Sequence, residues 1–186
     1  MKHEHIISFR LSQIGALCKL FLALLIAPFC KHKRIWLISE RGVDARDNGF
    51  WLFRYLRQNH PEIETYFIIS ADSPDRERLT SYLPYVVQYR SFAHCLLIWR
   101  ASVLISTHAQ GYFPFIGLGL WVRKHFPFYG QKCHINIKHG IVKDHAVFLD
   151  YSNVRLDMIV AGVRQEYDYF LTAYGYTQAN SVGGRP

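Results

Sequence analysis

The sequence predicts an α/β fold: a Rossmann-like, mostly parallel sheet with helices on both faces. Three observations predict it. Short apolar runs rich in Ile, Val and Leu recur from residue 34 onward, the pattern of strands buried on both faces. Stretches with apolar residues at helical spacing separate these runs, so neighbouring strands have room for crossover helices. Polar residues and glycines follow the ends of the runs, at the edge where such sheets bind ligands.

Taken in order, Arg34 to Ser39 (RIWLIS) reads as the first strand. Asp47-Asn48-Gly49 offers capping side chains, and Phe50, Leu52, Phe53 and Leu56 then recur at helical spacing until Asn59-His60-Pro61 ends the helix. Thr65 to Ser70 is a second strand, Asp75 to Tyr82 a short helix, and Tyr85 to Tyr89 a third strand. Ser91 caps a helix running to Ala101, and Val103 to Ser106 is the fourth strand. Gln110 to Gly130, rich in Gly, Pro and aromatics, reads as one long loop, an uncommon feature that often carries function. His134 to Ile137 and Met158 to Ala161 are the fifth and sixth strands. Gln165 to Ala173 is a helix, and Gln178 to Val182 starts a seventh strand.

The 186 residues are 50% hydrophobic and 16% aromatic, which excludes a disordered chain. The cysteines Cys18, Cys30, Cys95 and Cys133 are scattered, with no C-x-x-C pair. Neither a disulfide framework nor a zinc or redox site is expected, and a reduced, cytosolic setting is the simplest reading. The net charge is +8, yet residues 1–34 hold six basic residues against the single acid Glu4. The excess flanks an apolar segment instead of marking the body with a basic stripe, so no nucleic-acid partner is expected.

Leu20 to Cys30 is uncharged, preceded by Lys19 and broken near its end by Pro28. It falls short of the roughly 20 apolar residues that span a bilayer. Its basic flanks suit a helix lying on an anionic leaflet. A buried helix of the fold and a spanning or signal segment are the other readings. On the first, residues 1–33 form a basic, apolar membrane-associating helix and residues 34–186 the Rossmann-like domain. The protein would then sit peripherally on the cytoplasmic face of the cell membrane.

His139 follows an apolar strand and precedes Gly140, which lets the chain turn tightly or a ligand approach closely. Lys138, Lys143, Asp144 and His145 crowd the same loop. A neutral imidazole there would take a proton from an attacking hydroxyl, and a lysine would contact a phosphate; a structural histidine in a polar loop is the plainer alternative. His108, just past the fourth strand, either faces the same cleft or is an ordinary loop residue. Glu40, Arg41, Gly42 and Asn48 flank the first strand-to-helix turn, where α/β folds often seat a phosphate. A capped helix with a solvated ion pair explains them equally. Neither nucleotide-binding glycine motif is present. His134, His139 and His145, spaced by five and six residues, match no ligand register, so no metal and no bound cofactor are expected. Tyr112, Phe113, Phe115 and Trp121 are either core or a wall for an apolar or lipid-linked substrate.

Several of these stretches occur together in a known order. They are Ser39-Glu40-Arg41-Gly42, Asp47-Asn48-Gly49, Phe53-Arg54-Tyr55-Leu56, Ile105-Ser106-Thr107-His108, Ile135 through Asp144, and Val160-Ala161-Gly162 before Glu166-Tyr167. In that order the sequence resembles the CDP-glycerol glycerophosphotransferases, which build teichoic-acid-like poly(glycerol phosphate), and the related ribitol-phosphate and capsule enzymes. Lys138 stands where that family usually carries tryptophan or glutamine.

The resemblance implies a GT-B architecture, two Rossmann-like halves facing across a cleft, of which this chain matches the amino-terminal, acceptor-side half. It implies that His139 activates an acceptor hydroxyl, which attacks the β-phosphorus of a CDP-polyol and expels CMP. Glu40, Arg41, Gly42, Asn48, His108, Gly140, Lys143 and Asp144 are the substrate-binding candidates. The expected partners are a lipid-linked or polymer acceptor, the membrane surface and, for the donor, a separate donor-domain chain. Ser181 through Pro186 resembles the family's interdomain crossover, so a piece lacking the donor half, inactive by itself, is expected. Two alternatives stand beside this reading. One is a non-catalytic module binding a membrane surface or polyanion through Lys2, Arg10, Lys31, Lys33 and Arg34. The other is a piece of a GT-B glycosyltransferase.

Overall fold

The computed structural model describes residues 2–30, 34–126, 129, 131–141, 144–179 and 181–183, with side chains described for all of these except 2–13, 116–117 and 181–183. Seven strands form one sheet: β1 (Ile35–Ser39), β2 (Glu64–Ile69), β3 (Val86–Gln88), β4 (Val103–Ser106), β5 (Cys133–Asn136), β6 (Met158–Ala161) and β7 (Ser181–Gly183). Every pairing is parallel, in the order β3-β2-β1-β4-β5-β6-β7. The chain therefore builds outward from β1 in one direction, returns, and builds outward in the other. The order reverses between β1 and β4, the point at which sheets of this kind place a ligand crevice, outside the carboxyl ends of the strands.

Alternation along the strands assigns the helices to faces. Ile35 and Leu37 point to one face, where they join Leu104 and Ile68. That face is covered by α1 (Lys2–Ile26), α3 (Phe92–Arg100) and α4 (Ile116–His125), whose Leu20, Ala23, Cys95, Ile98 and Val122 complete the core. Ile38, Phe67, Ile69 and Ile105 point the other way, against Phe50, Phe53 and Leu56 of α2 (Asn48–Asn59). Around β6, Ile159 and Ala161 pack with Val154 of α5 (Tyr151–Val154), Phe170 of α6 (Arg164–Thr172), Tyr174 and Tyr176.

Two buried histidines serve this architecture as neutral hydrogen-bonding groups. His94 Nδ1 accepts from the Arg90 amide at 2.9 Å, leaving its Nε2–H to donate to the Tyr112 carbonyl at 2.8 Å. His134 Nδ1 lies 2.6 Å from the Tyr112 hydroxyl. Burial pushes His94 down to about 4 and His134 to about 3.

The structure departs from the sequence reading in three places. The expected long loop contains α4, a ten-residue helix. Its Gly119 speaks against a helix on propensity, but an added Cβ there would overlap Gln110 Oε1 and come within 2.8 Å of Phe113 Cγ. The glycine is a close-packing requirement, not a loop signal. The expected Asp75–Tyr82 helix is a 3-10 segment over Pro74–Tyr85, broken at Tyr82 ahead of Pro84. The turn Tyr151–Val154, ended by Arg155 in the left-handed region, has no counterpart in the sequence reading.

The amino-terminal segment is a 25-residue helix. Ala16, Leu20 and Ala23 are buried, and the Trp99 indole N–H of α3 donates to the Leu20 carbonyl at 2.8 Å. Its other flanks leave Ile14, Leu17, Phe21, Leu22 and Leu25 exposed. Among the described residues, no helix is long and apolar enough to cross a membrane.

Candidate functional site

Three polar side chains at the strand ends form the floor of the crevice. Register places Ser39 beside Ser106 and Ser106 beside Asn136, all three essentially inaccessible to solvent. Each accepts an N–H from the loop that leaves its own strand: Gly42 to Ser39 Oγ at 3.1 Å, His108 to Ser106 Oγ at 3.1 Å, and Lys138 to Asn136 Oδ1 at 2.9 Å. The Ser106 hydroxyl donates in turn to the Glu40 carbonyl at 2.9 Å, tying the loops after β1 and β4 together. Such side-chain turns stiffen the backbone that presents the next residues.

Above this floor the loops after β4 and β5 bring two imidazoles together. The rings of His108 and His139 stack, with centroids 4.5 Å apart and planes 14° apart. His139 is exposed and His108 half-buried. Burial first, and then the neighbouring charges of His139 and Arg41, hold His108 below the ordinary imidazole range, opposed by Asp44 and Asp47. The sequence left His108 either facing the same cleft as His139 or an ordinary loop residue, and the structure brings the two rings together.

Behind His139, Lys138 adopts φ 49°, a strained setting for a non-glycine residue. Its ammonium turns away from the crevice into a buried ion pair with Glu166 of α6. The other Glu166 oxygen accepts from the Gly162 amide at 2.8 Å. The sequence reading did not single out Glu166 as a site residue. Twenty-eight residues separate the partners, and only the pairing of β5 with β6 brings them together.

Glu40, Gly42 and Asn48 are engaged in structure. The Glu40 carboxylate is buried and accepts from the amides of Asp47 (2.9 Å), Phe50 (3.0 Å) and Arg46 (3.2 Å), so it caps the start of α2. Burial raises its pKa, against the lowering by those three donors. Gly42 has φ 79°, and an added Cβ would stand 2.6 Å from the Tyr89 ring. The Asn48 side-chain Nδ2 donates to the carbonyls of Lys138 at 2.8 Å and Ile137 at 3.3 Å, linking α2 to the loop that carries His139. Arg41 is more than half exposed and pairs with Asp44 at 2.6 Å, beside His108. Burial of Asp44 is outweighed by the hydrogen bonds from Arg41 and Arg46, which leave its pKa lowered.

Gly140 is exposed, and among the described residues, its chain neighbours aside, no atom lies within 4 Å of where a Cβ would stand. Asp144 is exposed. Lys143 lies outside the described residues, as do Lys31 and Lys33, and the side chains of Lys2 and Arg10. Among the described residues, no group of three or more His, Cys, Asp or Glu is placed to hold a metal ion. The arrangement is suited to proton transfer at an imidazole within reach of a cation, Arg41.

Residues 20–180 match the family model described as CDP-Glycerol:Poly(glycerophosphate) glycerophosphotransferase. The minor teichoic acid biosynthesis protein GgaB of Bacillus subtilis (strain 168) is 34% identical over 160 residues, which is 83% of this chain and 17% of that protein. Solved structures of the wall teichoic acid polymerase TagF superpose with TM-scores of 0.57 and 0.58 at 12% and 13% identity. They cover 97% of this chain, which spans 47% and 44% of theirs. At that identity the likeness shows the fold, the Rossmann-like α/β layer of a GT-B-type architecture. By the match over most of its length, the chain belongs to the CDP-glycerol:poly(glycerophosphate) glycerophosphotransferase family.

Proposed function

We propose that this chain forms the acceptor-side wall of a transferase that moves glycerol phosphate, or a related polyol phosphate, from a CDP-polyol to a hydroxyl of a lipid-linked or polymer acceptor in cell-wall polymer synthesis. The observation that carries this reading is the exposed imidazole of His139, in the loop after β5 at the carboxyl edge of the sheet, stacked on His108 from the loop after β4. His139 takes the proton as the acceptor oxygen attacks the β-phosphorus, and the breaking P–O bond leaves its electron pair on CMP. The nucleotide is gripped by a second Rossmann-like half, carried by a longer form of this chain or by a separate one. The TagF structures, about twice as long, support that division.

CMP release from CDP-glycerol, measured with a donor half present, tests the assignment. His139→Ala is expected to slow turnover ~10²–10⁴-fold, the usual contribution of a general base. An unchanged rate removes His139 from the reaction. The 186 residues alone are expected to release no CMP above background, because the groups that stabilise the transferring phosphoryl charge lie on the other half.

The reading extends to a peripheral position on the cytoplasmic face of the membrane. The exposed Ile14, Leu17, Phe21, Leu22 and Leu25 of α1, with Lys19 and Arg34 near them in the sequence, support it, since such helices bind where apolar burial and anionic headgroups act together. The chain is expected to sediment with vesicles of phosphatidylglycerol and phosphatidylcholine, and Phe21→Glu with Leu25→Glu to stay in the supernatant. Wild-type protein left in the supernatant would remove the membrane from this proposal.

A further inference from the structure

The reading above employs one imidazole, but the crevice holds two, and they are held differently. The backbone of His108 is fixed by the Ser106 hydroxyl at 3.1 Å, and its Nδ1 meets the Thr107 hydroxyl at 3.0 Å. His139 is exposed, and among the described residues no hydrogen bond reaches its ring. A base must be aimed to work, and the aiming group is usually a hydrogen-bonded carboxylate. At His139 the flat face of His108 stands in that place.

Resting on the proposed role of His139, we propose that His108 is a positioning residue: a fixed platform that sets the plane of the His139 ring and faces its charge once the acceptor hydroxyl has given up its proton. The O–H bond of the acceptor breaks as its oxygen bonds to phosphorus. The proton resides on His139, and the electron pair of the cleaved P–O bond departs with CMP. Two imidazolium rings at this separation repel each other, so the pair carries one charge at a time. Among the described residues, the charged groups acting on His108 are Arg41 and Asp44 from the loop after β1, Asp47 at the start of α2, and His139 from the loop after β5. Burial, His139 and Arg41 lower the His108 pKa, against Asp44 and Asp47. A neutral π face beside a new cation is attractive.

NMR of the histidine-labelled 186-residue chain tests this without turnover. The His139 ring protons are expected to show a ring-current displacement that His108→Phe retains and His108→Ala abolishes. His139→Ala is expected to move the His108 titration upward, towards the ordinary imidazole range. With a donor half present, His108→Ala is expected to lower kcat by ~10-fold or more with the donor KM unchanged, and His108→Phe to restore most of it, as for a loss of aim. His139 signals indifferent to His108→Ala, in a protein whose amide spectrum is otherwise intact, would overturn the proposal. Should the alanine variant not fold, loss of the displacement in His108→Phe overturns it instead. The base assignment fails separately, through undiminished CMP release in His139→Ala, whatever the NMR shows.

Discussion

Gly111→Ala is expected to lower the melting temperature by ~6–12 °C, the equivalent of about 3 kcal/mol in a chain of this size. The cause is local and severe. A Cβ at Gly111 would overlap the Glu40 carbonyl oxygen and stand 2.5 Å from Ser106 Oγ. Both neighbours belong to the hydrogen bond that joins the loops after β1 and β4, and neither is the movable tip of a long side chain. The methyl group must therefore part the two loops. The same opening shifts His108, whose amide depends on that hydroxyl, so binding or turnover should fall along with stability. A differential scanning measurement showing less than a 2 °C shift would mean that the loops yield where the packing says they do not.

Glu166→Ala is expected to cost about 3–5 kcal/mol, the usual penalty for removing one partner of a buried ion pair. Lys138 and Glu166 side chains are 8% and 2% exposed, so solvent screens the lysine little once its partner is gone. The loss also strips the Gly162 amide of its acceptor. The double variant Lys138→Met with Glu166→Leu should regain most of the loss, because the cost lies in an unpaired charge and apolar groups of similar size leave none. Urea unfolding of the wild type, both single variants and the double variant gives the coupling directly. Strict additivity of the two single effects would show that the pair contributes nothing as a pair.

Much of the sheet is legible in the sequence, for a physical reason. Strands buried on both faces are mostly apolar, so β1 and β4 read as apolar runs that turn polar only at their last residue, and β2 as an apolar run after its first two residues. The cap of α2 is equally plain, since Asp47 stands beside a run of helical period. What depends on contact between distant elements is not legible. Gly119 resembles a loop residue until Gln110 and Phe113 are seen against it. Glu40 resembles a ligand contact until its carboxylate is found on the amides of α2. Asn48 meets carbonyls 89 and 90 residues away, and Lys138 finds Glu166 through strand order alone. The stacked histidines fall between these cases. Placing each at a strand end follows from the runs before it, while their overlap requires β4 and β5 to be neighbours.

The Trp99 indole clamps the first helix to the body at a buried carbonyl, with Ala16, Leu20 and Ala23 pressed beneath it. This is a bolted mount and not a leash. Any flat boundary on which that helix came to rest would see the crevice at one bearing and one height. An acceptor held at the boundary would have to present its terminal hydroxyl at that elevation, so the length of the chain between anchor and hydroxyl becomes a selection rule.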